Sequence, residues 1–146
     1  MENSYEDAGS MDAMVIDVDT TGAIEMGPVQ PGEYKLQCIK TEVKEGIDKN
    51  GNPWKGISIL FDLPEELEAG LINHMVFLPR GTGTEKQNAQ AISRFDLFKR
   101  AFGFDPAEKF TPQDLVGREV WGTVTLIEDP EYGFQNRLQR FVVSQG

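Results

Sequence analysis

The stretch TEKQNAQAISRFDLFKRAFG, residues 84–103, decides how the rest of the chain is read. Thr84 stands as a helix cap, and Gln87 three residues on completes a reciprocal capping box. Ala91, Phe95, Phe98 and Phe102 then recur at i, i+4, i+7 and i+11. That spacing lays one apolar stripe along a helix. Gly103 supplies the left-handed stop. Rings at helical spacing read as core, and Lys99 and Arg100 fall on the solvent side. The segments on either side have the period of strands instead.

Upstream, strands are expected over residues 33–43, 54–63 and 72–78. In the first, Tyr34, Leu36 and Cys38 alternate with Lys35 and Gln37, and the phase slips at Ile39 as at a bulge. Loop 44–53 follows, with Asn50-Gly51 suited to a tight hairpin. Ile57, Ile59, Phe61 and Leu63 share one face of the second strand. Pro64 ends it, an acidic connection spans residues 65–70, and Pro79 ends the third strand. Downstream, Thr111-Pro112-Gln113-Asp114 opens a one-turn helix with proline in its first turn. Strands are expected over 119–127 and 135–144, joined by loop 128–134. Val120, Val124 and Leu126 mark the buried face of the first of these two. Three strands, a helix and two strands make a mainly β fold. This order is the plan of a five-stranded OB-like antiparallel barrel with one helix between strands 3 and 4. Such barrels bind single-stranded nucleic acid or oligosaccharide across one face.

Composition sets the bounds. The chain has 146 residues, one cysteine and a formal net charge of −10. Seven of its 24 acids and none of its bases lie in residues 1–30, so the remainder carries 17 acids against 14 bases, or −3. Residues 1–30 read as an acidic N-terminal arm or linker, and residues 31–146 as the barrel domain. A nearly balanced domain is not a charge-only DNA binder, yet it can carry a basic stripe. Within the arm, Met14, Val15, Ile16 and Val18 form a short apolar patch expected to pack weakly and locally, with a partner-binding or docking strand as the alternative. No apolar stretch approaches the roughly 20 residues that span a bilayer, and the N-terminus does not have the pattern of a signal peptide. Cys38 alone cannot form an intrachain disulfide. These features suit a cytoplasmic setting.

Catalytic readings find little support. His74 is the only histidine, which leaves no histidine pair or triad and no histidine-built zinc site; mid-strand, it reads as packed or half exposed. Residues 81–86, GTGTEK, lack the spacing of a phosphate loop and read as a turn plus a cap. Glu65, Glu66 and Glu68 lack the pattern of a calcium loop. No enzyme activity, cofactor or metal is expected. Binding reads better, because single-strand binders interleave flat rings with cations. The first hairpin and its flanks offer Lys40, Lys44, Lys49, Trp54 and Lys55. The last hairpin offers Tyr132, Phe134, Arg137 and Arg140. Trp54 and Trp121 both fall out of phase with the apolar sets of their strands.

Three segments carry a resemblance: PGEYKLQCIKTEVKEGIDKNGNPWKGISILFDL (31–63), ISRFDLFKRAFGF (92–104) and FTPQDLVGREVWGTVTLIEDPEYGFQNRLQRF (110–141). Together they resemble small phage-encoded single-stranded DNA-binding proteins with an OB fold. The shared pattern is a G-x-Y first strand, a hairpin with Lys and Gly, and a helix ending in an aromatic-Gly pair. A D-L-x-G turn precedes strand four and a Y-G-x-x-N turn precedes strand five. The resemblance implies binding of single-stranded DNA in phage DNA replication, recombination or repair, in the host cell cytoplasm. It implies contacts from Lys44, Lys49, Trp54, Tyr132, Asn136 and Arg137. Single-strand binders often carry an acidic C-terminal tail that recruits replication proteins. Here the C-terminal FVVSQG is uncharged and the acidic arm is N-terminal. The arm is then expected to recruit replication or recombination proteins or to serve assembly, with homo-oligomers among the outcomes. The rival expectation is a phage-encoded structural or assembly module, a small β-barrel making protein–protein contacts.

Overall fold

The computed structural model describes residues 13–143. It contains strands β1 (Gly32–Ile47), β2 (Pro53–Asp62) and β3 (Ile72–Phe77), then helix α1 (Glu85–Ala101). A 3₁₀ turn (Pro112–Leu115), β4 (Glu119–Asp129) and β5 (Gly133–Val142) complete it. The five strands form one antiparallel sheet in the order β3-β2-β1-β4-β5. The first half of β1 pairs with β4 and the remainder with β2. The register slips between Cys38 and Lys40, which is the bulge anticipated at Ile39. A bulge raises twist and bends a strand, and here it lets one long strand serve both halves of the sheet.

Among the described residues no ladder joins β3 to β5, so the sheet is open. It curls enough to bring His74 of β3 edge-to-face with Phe141 of β5, ring centroids 5.5 Å apart. Leu36, Cys38, Ile59, Phe61 and Val124 are fully buried inside the curl. Phe98 and Phe102 of α1 close one side of this core: the Phe98 ring lies 5.7 Å from that of Phe141 and 5.0 Å from that of Phe102. Phe104 and Phe110 extend the aromatic cluster, stacked 4.7 Å apart.

The helix ends follow the sequence closely. The Thr84 hydroxyl accepts from the Gln87 amide, and the Gln87 side chain accepts from the Thr84 amide at 2.8 Å. Gly103 takes φ +87°, and the Phe104 amide reaches back to the Lys99 carbonyl at 2.9 Å. Arg118, lying over the Phe104 ring at 4.4 Å, donates to the Phe102 carbonyl at the helix end.

The arm joins the domain earlier than its composition suggests. Gly27 bridges Ala69 in parallel, and its amide donates to the Glu68 carbonyl. Val29 exchanges two hydrogen bonds with the Asn136 side chain, and the Tyr34 hydroxyl donates to the Gln30 carbonyl at 2.6 Å. Residues 27–30 therefore belong to the folded body. The patch expected to pack weakly does not pack: Met14, Val15, Ile16 and Val18 are 60–84% exposed. The part of the arm before residue 13 lies outside the described residues. No described helix is long and apolar enough to cross a membrane.

Candidate nucleic-acid interface

Strand alternation divides each strand into a core phase and an outer phase. On the outer phase of β1, β2 and β3 the pairing registers set four rows. Lys40 faces Leu60 and then Asn73; Glu42 faces Ser58 and then Met75; Lys44 faces Gly56 and then Phe77; Gly46 faces Trp54. Lys40, Lys44 and Trp54 are thus brought onto one surface, together with Met75 and Phe77. The Trp54 ring stands edge-to-face with Phe77, centroids 5.5 Å apart and planes at 80°. It lies against Gly46, where an added Cβ would sit 2.9 Å from the ring. Met75 covers Gly56 in the same way, its sulfur 2.8 Å from where a Cβ would be. Two glycines therefore form the floor, and a half-buried tryptophan and a 60%-exposed phenylalanine form the relief.

The charge on this surface is mixed. Lys44 Nζ lies 3.4 Å from Glu42, an exposed pair of small energetic weight. Lys55 pairs across the ladder with Glu45 and lines a cleft of about 360 Å³ with Trp54, Leu78 and Arg80. Lys49 sits exposed in the hairpin loop. That loop is shorter than expected, because residues 44–47 pair with β2. Asp48 organises it by accepting from the Asn50 and Asn52 amides, both at 2.9 Å. Arg80 donates to the same carboxylate at 3.0 Å and to the Pro53 carbonyl at 3.1 Å. The Asn52 amide first, then Arg80, holds the Asp48 carboxyl below its ordinary range.

The second expected group lies around the β4–β5 turn. Tyr132 is 70% exposed at its tip. Asp129 supports the turn by accepting from the Glu131 and Tyr132 amides, which lower its pKa. Phe134 and Arg137 line a cleft of about 360 Å³ with Leu71, Asn73 and the arm residues Gly27 and Pro28. Asn136 does something else. Its Oδ1 accepts from the Val29 amide at 2.7 Å, while its Nδ2 donates to the Val29 and Thr125 carbonyls at 2.8 and 3.1 Å. This side chain's polar atoms are spent on Val29 of the arm and on Thr125 of β4. Arg140 faces Thr123 across the ladder and borders another cleft, of about 300 Å³, together with His74, Phe77 and Arg94.

β3 links the two groups. Phe77 touches Trp54 at one end, and Asn73 shares the cleft of Phe134 and Arg137 at the other. Sequence reasoning missed Asn73, Met75, Phe77 and Arg94. The first three carry a legible signal, since they alternate with Ile72, His74 and Val76, the side chains that face the core. Trp121 is 44% exposed on a different part of the sheet, beneath Lys35 at 6.0 Å. That lysine lies 3.6 Å from Glu65 and 3.9 Å from Glu119, so the surroundings are acidic.

Burial pushes the His74 imidazole below its ordinary value and the Cys38 thiol above its own. Among the described residues, no three His, Cys, Asp or Glu side chains gather as a metal-binding set. Neither the protein-family models nor the curated proteins give a match to this chain.

Proposed function

We propose that the protein is a non-catalytic, sequence-tolerant binder of single-stranded DNA, built on an OB-like barrel whose β3 and β5 edges approach without pairing. The observation that carries this reading is the Trp54–Phe77 pair, set on the same outer surface as Lys40 and Lys44. Bases of any identity stack on such rings, and lysines beside them hold phosphates without reading sequence. A strand would run along β3 from Trp54 and Phe77, past Met75 and Asn73, to Phe134 and Arg137. Lys49 and Tyr132 would close over its two ends. The strand order and the helix between β3 and β4 agree with that barrel plan. A role in phage DNA replication, recombination or repair rests on the resemblance of residues 31–143.

The assembly-module reading is favoured by Glu42 and Glu45, which interrupt the lysines. A titration of labelled oligo(dT) at low and moderate salt separates the two. The DNA reading requires binding at low salt that weakens steeply as salt rises, with a logarithmic slope of about −0.7 per phosphate neutralised. No binding at low salt would sink it.

A further inference from the structure

Residues 14–18, Met-Val-Ile-Asp-Val, pair with no strand among the described residues. Drawn out as a strand, they would place Met14, Ile16 and Val18 on one side and Val15 and Asp17 on the other. The four apolar side chains are 60–84% exposed. A turn follows, closed by the Ala23 amide on the Thr20 carbonyl at 3.0 Å, with Gly22 at φ +82°. The next fixed point is Gly27 on Ala69. Residues 14–18 are thus tethered to the domain by a span reaching at most about 30 Å.

The sheet has complementary features. β5 is an open edge, and open edges offer unpaired N–H and C=O groups to an incoming strand. Near residues 134–137 this edge borders the cleft that also contains Leu71 and Phe134, 54% and 57% exposed. On the alternate phase β5 presents Arg137 and, past its bulge, Arg140. Residues 1–30 carry the opposite sign, with seven acids and no base. From Ile16 to Asp19 the arm alternates apolar and acidic side chains, and the basic Arg137 and Arg140 lie exposed on β5. Within one chain, Gly27 and Pro28 already stand at this cleft, and residues 14–18 lie in solvent.

We propose that residues 14–18 of one copy add as an edge strand to β5 of a second copy. Ile16 and Val18 would lie against Leu71 and Phe134, with Asp17 and Asp19 beside Arg137 and Arg140. Reciprocal exchange closes a two-fold dimer, in which each arm caps the partner's open edge. The docked arm would cover Phe134 and Arg137, the end of the surface given above to nucleic acid, so arm and DNA would compete there; the dimer is read with no DNA present, and either idea can fail without the other.

Sedimentation velocity on the full chain over a concentration series tests it, with circular dichroism verifying that each variant is folded. The wild-type chain is expected to dimerise and to dissociate on dilution. Ile16→Asp and Arg137→Glu should each raise the dimer dissociation constant about tenfold or more. Combining Asp17→Arg with Arg137→Glu should recover part of that loss. A chain that stays monomeric at every concentration overturns the proposal. So does a dimer indifferent to Ile16→Asp and Arg137→Glu, or one that survives deletion of residues 1–19.

Discussion

At the scale of single residues, strand alternation separates two kinds of aromatic position. Phe141 and Phe61 are buried, so truncating them creates cavities. Trp54 and Phe77 face outward, and truncating them removes a platform. Each base stacked on such a ring contributes roughly 1–3 kcal/mol. Trp54→Ala and Phe77→Ala should therefore each weaken oligo(dT) binding by roughly 5- to 150-fold, while Trp54→Phe keeps most of it. Fluorescence anisotropy of labelled oligo(dT) reads this directly, and unchanged affinity in both alanine variants removes the face from consideration. Asn136→Ala should behave in the opposite way. It strands part-buried groups of Val29 and Thr125 and should cost about 1–3 kcal/mol of stability. Oligo(dT) affinity should stay unchanged, as a denaturant titration run beside the binding assay would reveal. The sequence could not disclose this role, because the partner of Asn136 lies 107 residues away.

At the scale of elements, legibility tracked how local the determining contacts are. The cap, stripe and stop of α1 lie within its own 20 residues, and the observed helix ends within a residue or so of the expected positions. The β1–β2 hairpin was harder. Residues 44–47, Lys-Glu-Gly-Ile, have little strand character of their own and read as loop. They are strand because Trp54 lies over Gly46 and because Arg80, from beyond β3, ties Asp48 and Pro53 together. Both determinants act across the chain. Asp48→Ala should consequently loosen the turn, freeing the Asn50 and Asn52 amides and the Arg80 guanidinium together. Amide hydrogen exchange should then quicken over residues 44–55 while α1 keeps its protection. Equal loss of protection in both elements would mean that the turn is part of the global unfolding unit and not a separately locked hairpin. Thr84→Ala, by contrast, should cost about 1 kcal/mol through the helix cap and leave the hairpin untouched.

At the scale of the whole molecule, the element order was legible and the closure of the sheet was not, because closure depends on how β3 meets β5. His74 sits at that junction, edge-to-face with Phe141. Its sequence position in the middle of a strand gave no hint that it bridges two open edges. Burial there pushes its pKa below the ordinary 6.5, so the folded chain holds the imidazole neutral. Below about pH 6.5 the unfolded chain takes up a proton that the folded chain refuses. Stability is therefore full above that pH and falls as the pH drops, first where the unfolded chain titrates and until the folded imidazole itself titrates. Asp48 and Asp129 act in a separate window. Their carboxyls are held below 3.8 by loop amides, so their contribution is lost only at more acidic pH. The melting temperature of the wild-type chain should thus be level above about pH 7 and decline from about pH 6.5 downward. His74→Gln should be less stable at neutral pH, having lost the ring contact with Phe141, but its melting temperature should be flat between about pH 7 and pH 5. A wild-type profile with no decline in that interval would mean that the imidazole is solvated and that the two edges part in solution.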